Sequence, residues 1–128
     1  MPDIKWHATV SQSDYTASVE YLALLMSSLE AAATVDRLRQ AKTVTFYAKD
    51  IIRAARLPVL PLDDPYVSHE LDKINKGLPL SPILLIRGKA RKGTRLIIAD
   101  GYHRVCANYR LDPDNRIPCH ITDSKKMK

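Results

Sequence analysis

Four consecutive apolar residues, Ile83-Leu84-Leu85-Ile86, follow Pro82 and end at a basic, glycine-containing stretch. A continuous apolar run bounded by turn residues reads as a buried strand. Arg87 to Thr94, with Gly88 and Gly93, reads as a basic turn, and Arg95-Leu96-Ile97-Ile98-Ala99 as the returning strand. After Asp100-Gly101 the spacing of Val105, Cys106 and Tyr109 predicts a helix over 102–111, which Asp112-Pro113-Asp114-Asn115 breaks. Ile117-Pro118-Cys119-His120-Ile121 is the last strand, and its proline belongs at a sheet edge or at a strand's first residue.

Upstream, residues 14–41 read as a helical hairpin. Asp14 is the expected cap of its first arm, and Ser27 with Glu30 forms a capping box that opens the second. Thr43-Val44-Thr45-Phe46-Tyr47 is β-branched and aromatic, hence a short strand. A helix over 49–56 follows, stopped by Pro58 and Pro61 in an extended segment. A short helix is expected around His69 to Lys76, with Gly77 terminating it. These elements describe an α+β fold, a small mixed sheet with packed helices. At 128 residues the chain suits one domain. It divides into a mainly helical region at 1–56, a core at 57–121 and a basic tail at 122–128.

Charge is unevenly placed. The chain carries a net +6, but residues 1–48 contribute −1 and residues 49–128 contribute +7. An anion site therefore belongs in the second half. No apolar run approaches the ~20 residues of a membrane-spanning helix, and the start lacks a secretory pattern, so no membrane association is expected. Cys106 and Cys119 are too few for a disulfide scaffold, and reduced thiols in the cytoplasm are the expectation.

The passage richest in chemistry is Asp100-Gly101-Tyr102-His103-Arg104. Glycine at a strand-to-helix turn allows a ligand close to the backbone, where helix amides lack internal acceptors. A phosphate is stabilised there by those amides and the helix dipole. Arg104 supplies a donor fork, and His103 a hydrogen bond or a proton. Asp100 is the odd member. It suits capping, holding Arg104, or ligating a divalent ion shared with phosphates. The plain alternative has Asp100 capping the helix, Gly101 turning the chain, and Arg104 pairing with Asp100 on the surface.

The run from Ile97 to Ala107, followed by Ile117-Pro118-Cys119-His120-Ile121, resembles the box of the ParB/sulfiredoxin superfamily. That box is a strand, a Gly-x-x-Arg-x-x-Ala helix start and a strand beginning Ile-Pro. Leu62-Asp63-Asp64-Pro65-Tyr66 and Pro82-Ile83-Leu84-Leu85 are similar to the family's upstream segments, so the resemblance covers about residues 57–121. It is also similar to small stand-alone bacterial proteins with an Asp-Gly-Tyr-His-Arg box. The resemblance implies a ParB/sulfiredoxin-like fold that binds a nucleoside di- or triphosphate (ATP, ADP or CTP) with magnesium. Asp100, Gly101, Tyr102, His103 and Arg104 would be the binding residues. Sulfinic acid reduction is not implied, because Tyr102 stands where sulfiredoxins carry their reactive cysteine. Nor is the DNA-binding role of partitioning proteins, whose helix-turn-helix has no room after the core. The box is closest to that of ADP-dependent free serine kinases. This implies phosphoryl transfer or hydrolysis, with His103 participating and Glu70, Asp63 or Asp64 as base toward a small-molecule acceptor.

Three rival readings stand beside this one. His103, Cys106, Cys119 and His120 have types that suit zinc, but adjacent strand residues point oppositely, so the thiols are expected as buried hydrophobes and no metal site is assigned. Arg87, Lys89, Arg91, Lys92 and Arg95 form a patch able to track nucleic-acid phosphates. Without an interleaved aromatic it offers no base stacking. Finally, the fold can serve as a non-catalytic regulatory or DNA-associated module, with the 14–41 helices packed on the sheet and Trp6 and His7 anchoring the N-terminal arm.

Overall fold

The computed structural model describes residues 3–124. Its elements are α1 (Gln12–Leu22), α2 (Ser28–Gln40), β1 (Val44–Tyr47), α3 (Ala48–Ala55), α4 (Pro65–Asn75), β2 (Ile83–Arg87), a 3-10 turn (Ala90–Lys92), β3 (Ile97–Asp100), α5 (Tyr102–Leu111) and β4 (Arg116–Asp123). The class is α+β. The four strands form one mixed sheet in the order β1-β4-β2-β3. β2 and β4 are parallel, from Ile83 opposite Cys119 to Arg87 opposite Asp123, and the other two pairings are antiparallel.

The sheet is covered on both faces, which explains the uninterrupted apolar run in β2. Ile83 and Leu85 join one core with α3, α4 and α5. Leu84 and Ile86 join a second core with α1 and α2. Alternation along the strand sends successive side chains to opposite faces, so a strand covered on both sides has no polar position to spare. All four residues are at most 1% exposed. The N-terminal helices are thus one layer of the domain, and Trp6 anchors their leading arm by a parallel bridge to Leu80.

Several local expectations need correction. The first helix begins at Gln12 with Ser11 as its cap, and the Ser11 hydroxyl accepts from the Asp14 amide. Asp14 is thereby released for another task. α4 begins at Pro65, a turn earlier than the His69 start. Asp64 caps it, accepting from the amides of Tyr66 and Val67 at 3.0 and 3.1 Å. Proline at the first helical position needs no amide partner, so Asp64-Pro65 is a sound start signal. β3 runs over 97–100, two residues later than expected at its start. β4 extends to Asp123 and shortens the tail, whose residues 125–128 lie outside the described residues.

Pro118 is the instructive error. It sits opposite Thr45 in β4, an interior strand. The ladder with β2 begins one residue later, at Cys119, so proline occupies a point that β2 does not pair. Among the described residues no helix is long and apolar enough to cross a membrane.

Candidate functional site

The end of β3 and the start of α5 meet at Gly101, whose φ of +106° disfavours any side chain. A Cβ there would lie 2.5 Å from Ile83 Cδ1 and 3.0 Å from the Arg104 guanidinium. The turn is therefore packed against core and cation together. α5 has no side-chain cap, and its first backbone acceptance is Val105 N–H to the Gly101 carbonyl. The amides of Tyr102, His103 and Arg104 have no acceptor among the described residues. They constitute the open donor set expected at a helix start.

Arg104 is 8% exposed, and three of its five N–H groups are hydrogen-bonded within the protein. Its Nη1 donates to Asp14 Oδ2 at 2.9 Å and to the Ser81 carbonyl at 2.7 Å, while Nη2 donates to Asp100 Oδ2 at 2.5 Å. The pairing with Asp100 is the one the plain alternative expects, but it is buried rather than on the surface, and Asp100 does not cap the helix. The addition of Asp14, ninety positions away, was not foreseen. The two carboxylates respond differently to the shared cation. Burial pushes the Asp100 carboxyl up to about 6, against the pull of Arg104 and with the push of Asp14. Burial also raises Asp14, but Arg104, Ser81 and Ser11 outweigh it and hold that carboxyl below its usual value.

Around this ion triad lies a cleft of about 420 Å³. The N-terminal arm contributes His7, the start of α1 contributes Ser11, Ser13 and Asp14, α4 contributes Glu70 and Lys73, and Ser81 completes the wall opposite Gly101, His103 and Arg104. Glu70 is the candidate base that the fold brings here. Its Oε1 lies 3.7 Å from Lys73 Nζ, and its Oε2 is buried without a hydrogen-bond partner. Asp63 and Asp64 do not line this cleft, and the Asp64 carboxylate is committed to capping α4.

Across the Gly101 turn a second cleft of about 430 Å³ runs along β3, lined by Leu57, Leu96, Ile97, Ala17, Tyr21 and Tyr102. Asp100, Gly101 and His103 border both clefts. Tyr102 Oη donates to the Pro58 carbonyl at 2.5 Å, pinning its ring. Burial, with Cys106 and Asp64 nearby, pushes that phenol up to about 12, so it stays protonated. The His103 ring lies 5.4 Å from Tyr102 and 5.0 Å from Tyr66, between the two tyrosines.

The remaining candidates are dispersed. Cys106 and Cys119 are buried in the core, where desolvation pushes the Cys119 thiol up to about 12. His120 lies on the opposite face, its Nδ1 3.2 Å from the Leu38 carbonyl and its Nε2 3.1 Å from Thr43 Oγ1. Arg87, Lys89, Arg91, Lys92 and Arg95 cluster at the β2–β3 connection, where Arg87 pairs with Asp123. Sequence reasoning missed His7, Ser11, Ser13, Lys73 and Ser81. They come from separate segments, and only the helical i,i+3 spacing of Glu70 and Lys73 hinted at a shared face. Comparison with protein-family models, curated protein sequences and solved structures finds no match to this chain.

Proposed function

We propose that the cleft at the Gly101 turn binds a nucleoside di- or triphosphate as its magnesium complex, and that Glu70 acts on a bound acceptor. The observation that carries this reading is the open first turn of α5. Of three amides without acceptors, two belong to His103 and Arg104, which line a cleft that also holds Lys73. Helix N-termini of this kind favour phosphate groups. The likeness of the Asp100–Arg104 box to ParB/sulfiredoxin nucleotide sites points the same way. Arg104 takes a different part from the one expected of it. Held by two carboxylates, it is a fixed charge behind the turn, and the amides, Lys73 and His103 are the phosphate donors. The cleft beside Tyr102, which Arg95 and Asp100 line together with apolar residues, offers room for the nucleoside and polar partners for its base.

The charges of the cleft bear on the metal. Asp14, Asp100 and Glu70 outnumber Arg104 and Lys73, so a bare polyphosphate meets a net negative wall. A divalent ion bound to the phosphates reverses that balance. No cluster of three or more His, Cys, Asp or Glu side chains at ligating geometry occurs among the described residues. This suits magnesium, which keeps waters and shares one or two carboxylates with a substrate phosphate. In phosphoryl transfer, Glu70 would take the proton of an acceptor hydroxyl as its oxygen bonds to the terminal phosphorus. The bond from that phosphorus to the leaving phosphate oxygen then breaks. The proposal carries with it a cytoplasmic location, where nucleotides and magnesium are plentiful.

Thermal shift and calorimetry with ATP, ADP and CTP, with and without magnesium, test the reading. Stabilisation by at least one magnesium nucleotide, lost in Lys73→Ala and kept in Glu70→Gln, is expected. No stabilisation by any of the three at millimolar concentration overturns it. A second reading rests on the ion triad itself. Asp14–Arg104–Asp100 fastens α1 to the start of α5, which a non-catalytic binding module of this fold also requires. Nucleotide binding without turnover on any hydroxyl acceptor or water would favour that module.

A further inference from the structure

A smaller pocket of about 250 Å³ lies toward the other end of β2 and shares Leu96 with the cleft along β3. Its walls are Phe46 from β1, Ile51 and Ala54 from α3, Leu85 from β2, Leu96 and Ile121. Only Asp50 and Arg87 bring charge to its lining, and each is paired, with Arg53 and Asp123 respectively. Beside it lies the 88–95 connection. The Leu96 amide donates to the Ala54 carbonyl at 3.0 Å, and Arg56 Nη1 donates to the Gly93 carbonyl at 3.0 Å. These two bonds hold the turn against α3 beside Ala54 and Leu96, two walls of the pocket, and Arg87 at the end of β2 lines it directly. Arg56, Lys89, Arg91, Lys92 and Arg95 form no ion pair with any described residue.

We propose that this face binds an acidic segment of a partner protein, with one aliphatic side chain of that segment seated in the pocket. Uncompensated cations beside a carbon-lined hole are complementary to carboxylates flanking an apolar anchor. The lining also discriminates between polyanions. A nucleobase in this pocket would leave its polar edges without hydrogen-bond partners, which is costly. The turn 87–95 carries no aromatic on which a base could stack. A leucine or methionine side chain has no such groups to satisfy.

The test uses fluorescence anisotropy with three labelled probes. They are an acidic heptapeptide with leucine at its centre, the same peptide with central alanine, and a short DNA duplex. The leucine peptide is expected to bind about tenfold tighter than the alanine peptide, the return on burying the extra methylenes. Ala54 is exposed on α3, so Ala54→Phe plugs the pocket without entering the core. It should abolish the leucine preference while circular dichroism stays unchanged. Arg91→Glu with Lys92→Glu should weaken both peptides about tenfold at low salt. Equal binding of the two peptides, or a leucine preference that survives Ala54→Phe, overturns the proposal. So does failure of every probe to bind, or a duplex that binds tighter than the leucine peptide regardless of Ala54→Phe.

Discussion

Arg104 illustrates how a side chain's type leaves its role open. A guanidinium near a helix start is equally suited to an anionic ligand and to the protein's own carboxylates. Here Asp14 and Asp100 take it, and its burial makes it a structural charge. Replacing it with alanine strands two half-buried carboxylates side by side. Arg104→Ala should therefore lose about 3 kcal/mol of stability in urea titrations. Unchanged stability with lost nucleotide binding would restore the direct-ligand role. Asp100 supplies a pH test. Its folded carboxyl titrates near 6, above its ordinary 3.8. The folded state therefore holds an extra proton between those values, and the stabilisation is lost as pH rises toward 6. Asp14 has the opposite sign, contributing above its ordinary value and less as pH falls. Asp100→Asn removes only the first contribution, so its stability relative to the parent should be greater at pH 7 than at pH 4.5. Gly101→Ala combines a strained φ with contacts to Ile83 and Arg104, and should cost about 2 kcal/mol or more.

At the scale of elements, starts were legible where the capping chemistry is local. Ser27 accepts from the Glu30 amide at 3.2 Å and opens α2, as its sequence indicates. Gly77, at φ +72°, ends α4 as expected. Asp64-Pro65 carries an equally local start signal, four residues ahead of the His69 start expected from sequence. Ser27→Ala and Asp64→Ala should each cost about 1 kcal/mol, read as shifts in urea midpoint. Asp64→Asn, which keeps an acceptor for the two amides, should cost less. The edge placement of Pro118 failed for a non-local reason. Whether a strand is interior depends on which segments flank it, and β4 is paired by one segment 70 residues upstream and another 36 upstream in register. Nothing within β4 records that.

At the scale of the whole molecule, one sheet carries both cores, so neither layer of helices has an independent foundation. Trp6 packs on the α3–α5 core, while α1 and α2 fill the other face. Unfolding should be a single transition, with Trp6 fluorescence and far-ultraviolet circular dichroism superimposing in denaturant. Separated midpoints would show the N-terminal layer to be autonomous. The sequence by itself determined the α+β class, the buried strand β2, the turn at Gly101 and the helix that follows, because apolar periodicity, capping and glycine's φ freedom act over a few neighbouring residues. Tertiary structure alone decided the strand order, the cleft walls and the pairing of Arg104 with Asp14. Those depend on pairing and ion contacts between segments tens of residues apart, energies that no stretch of chain contains until the sheet closes.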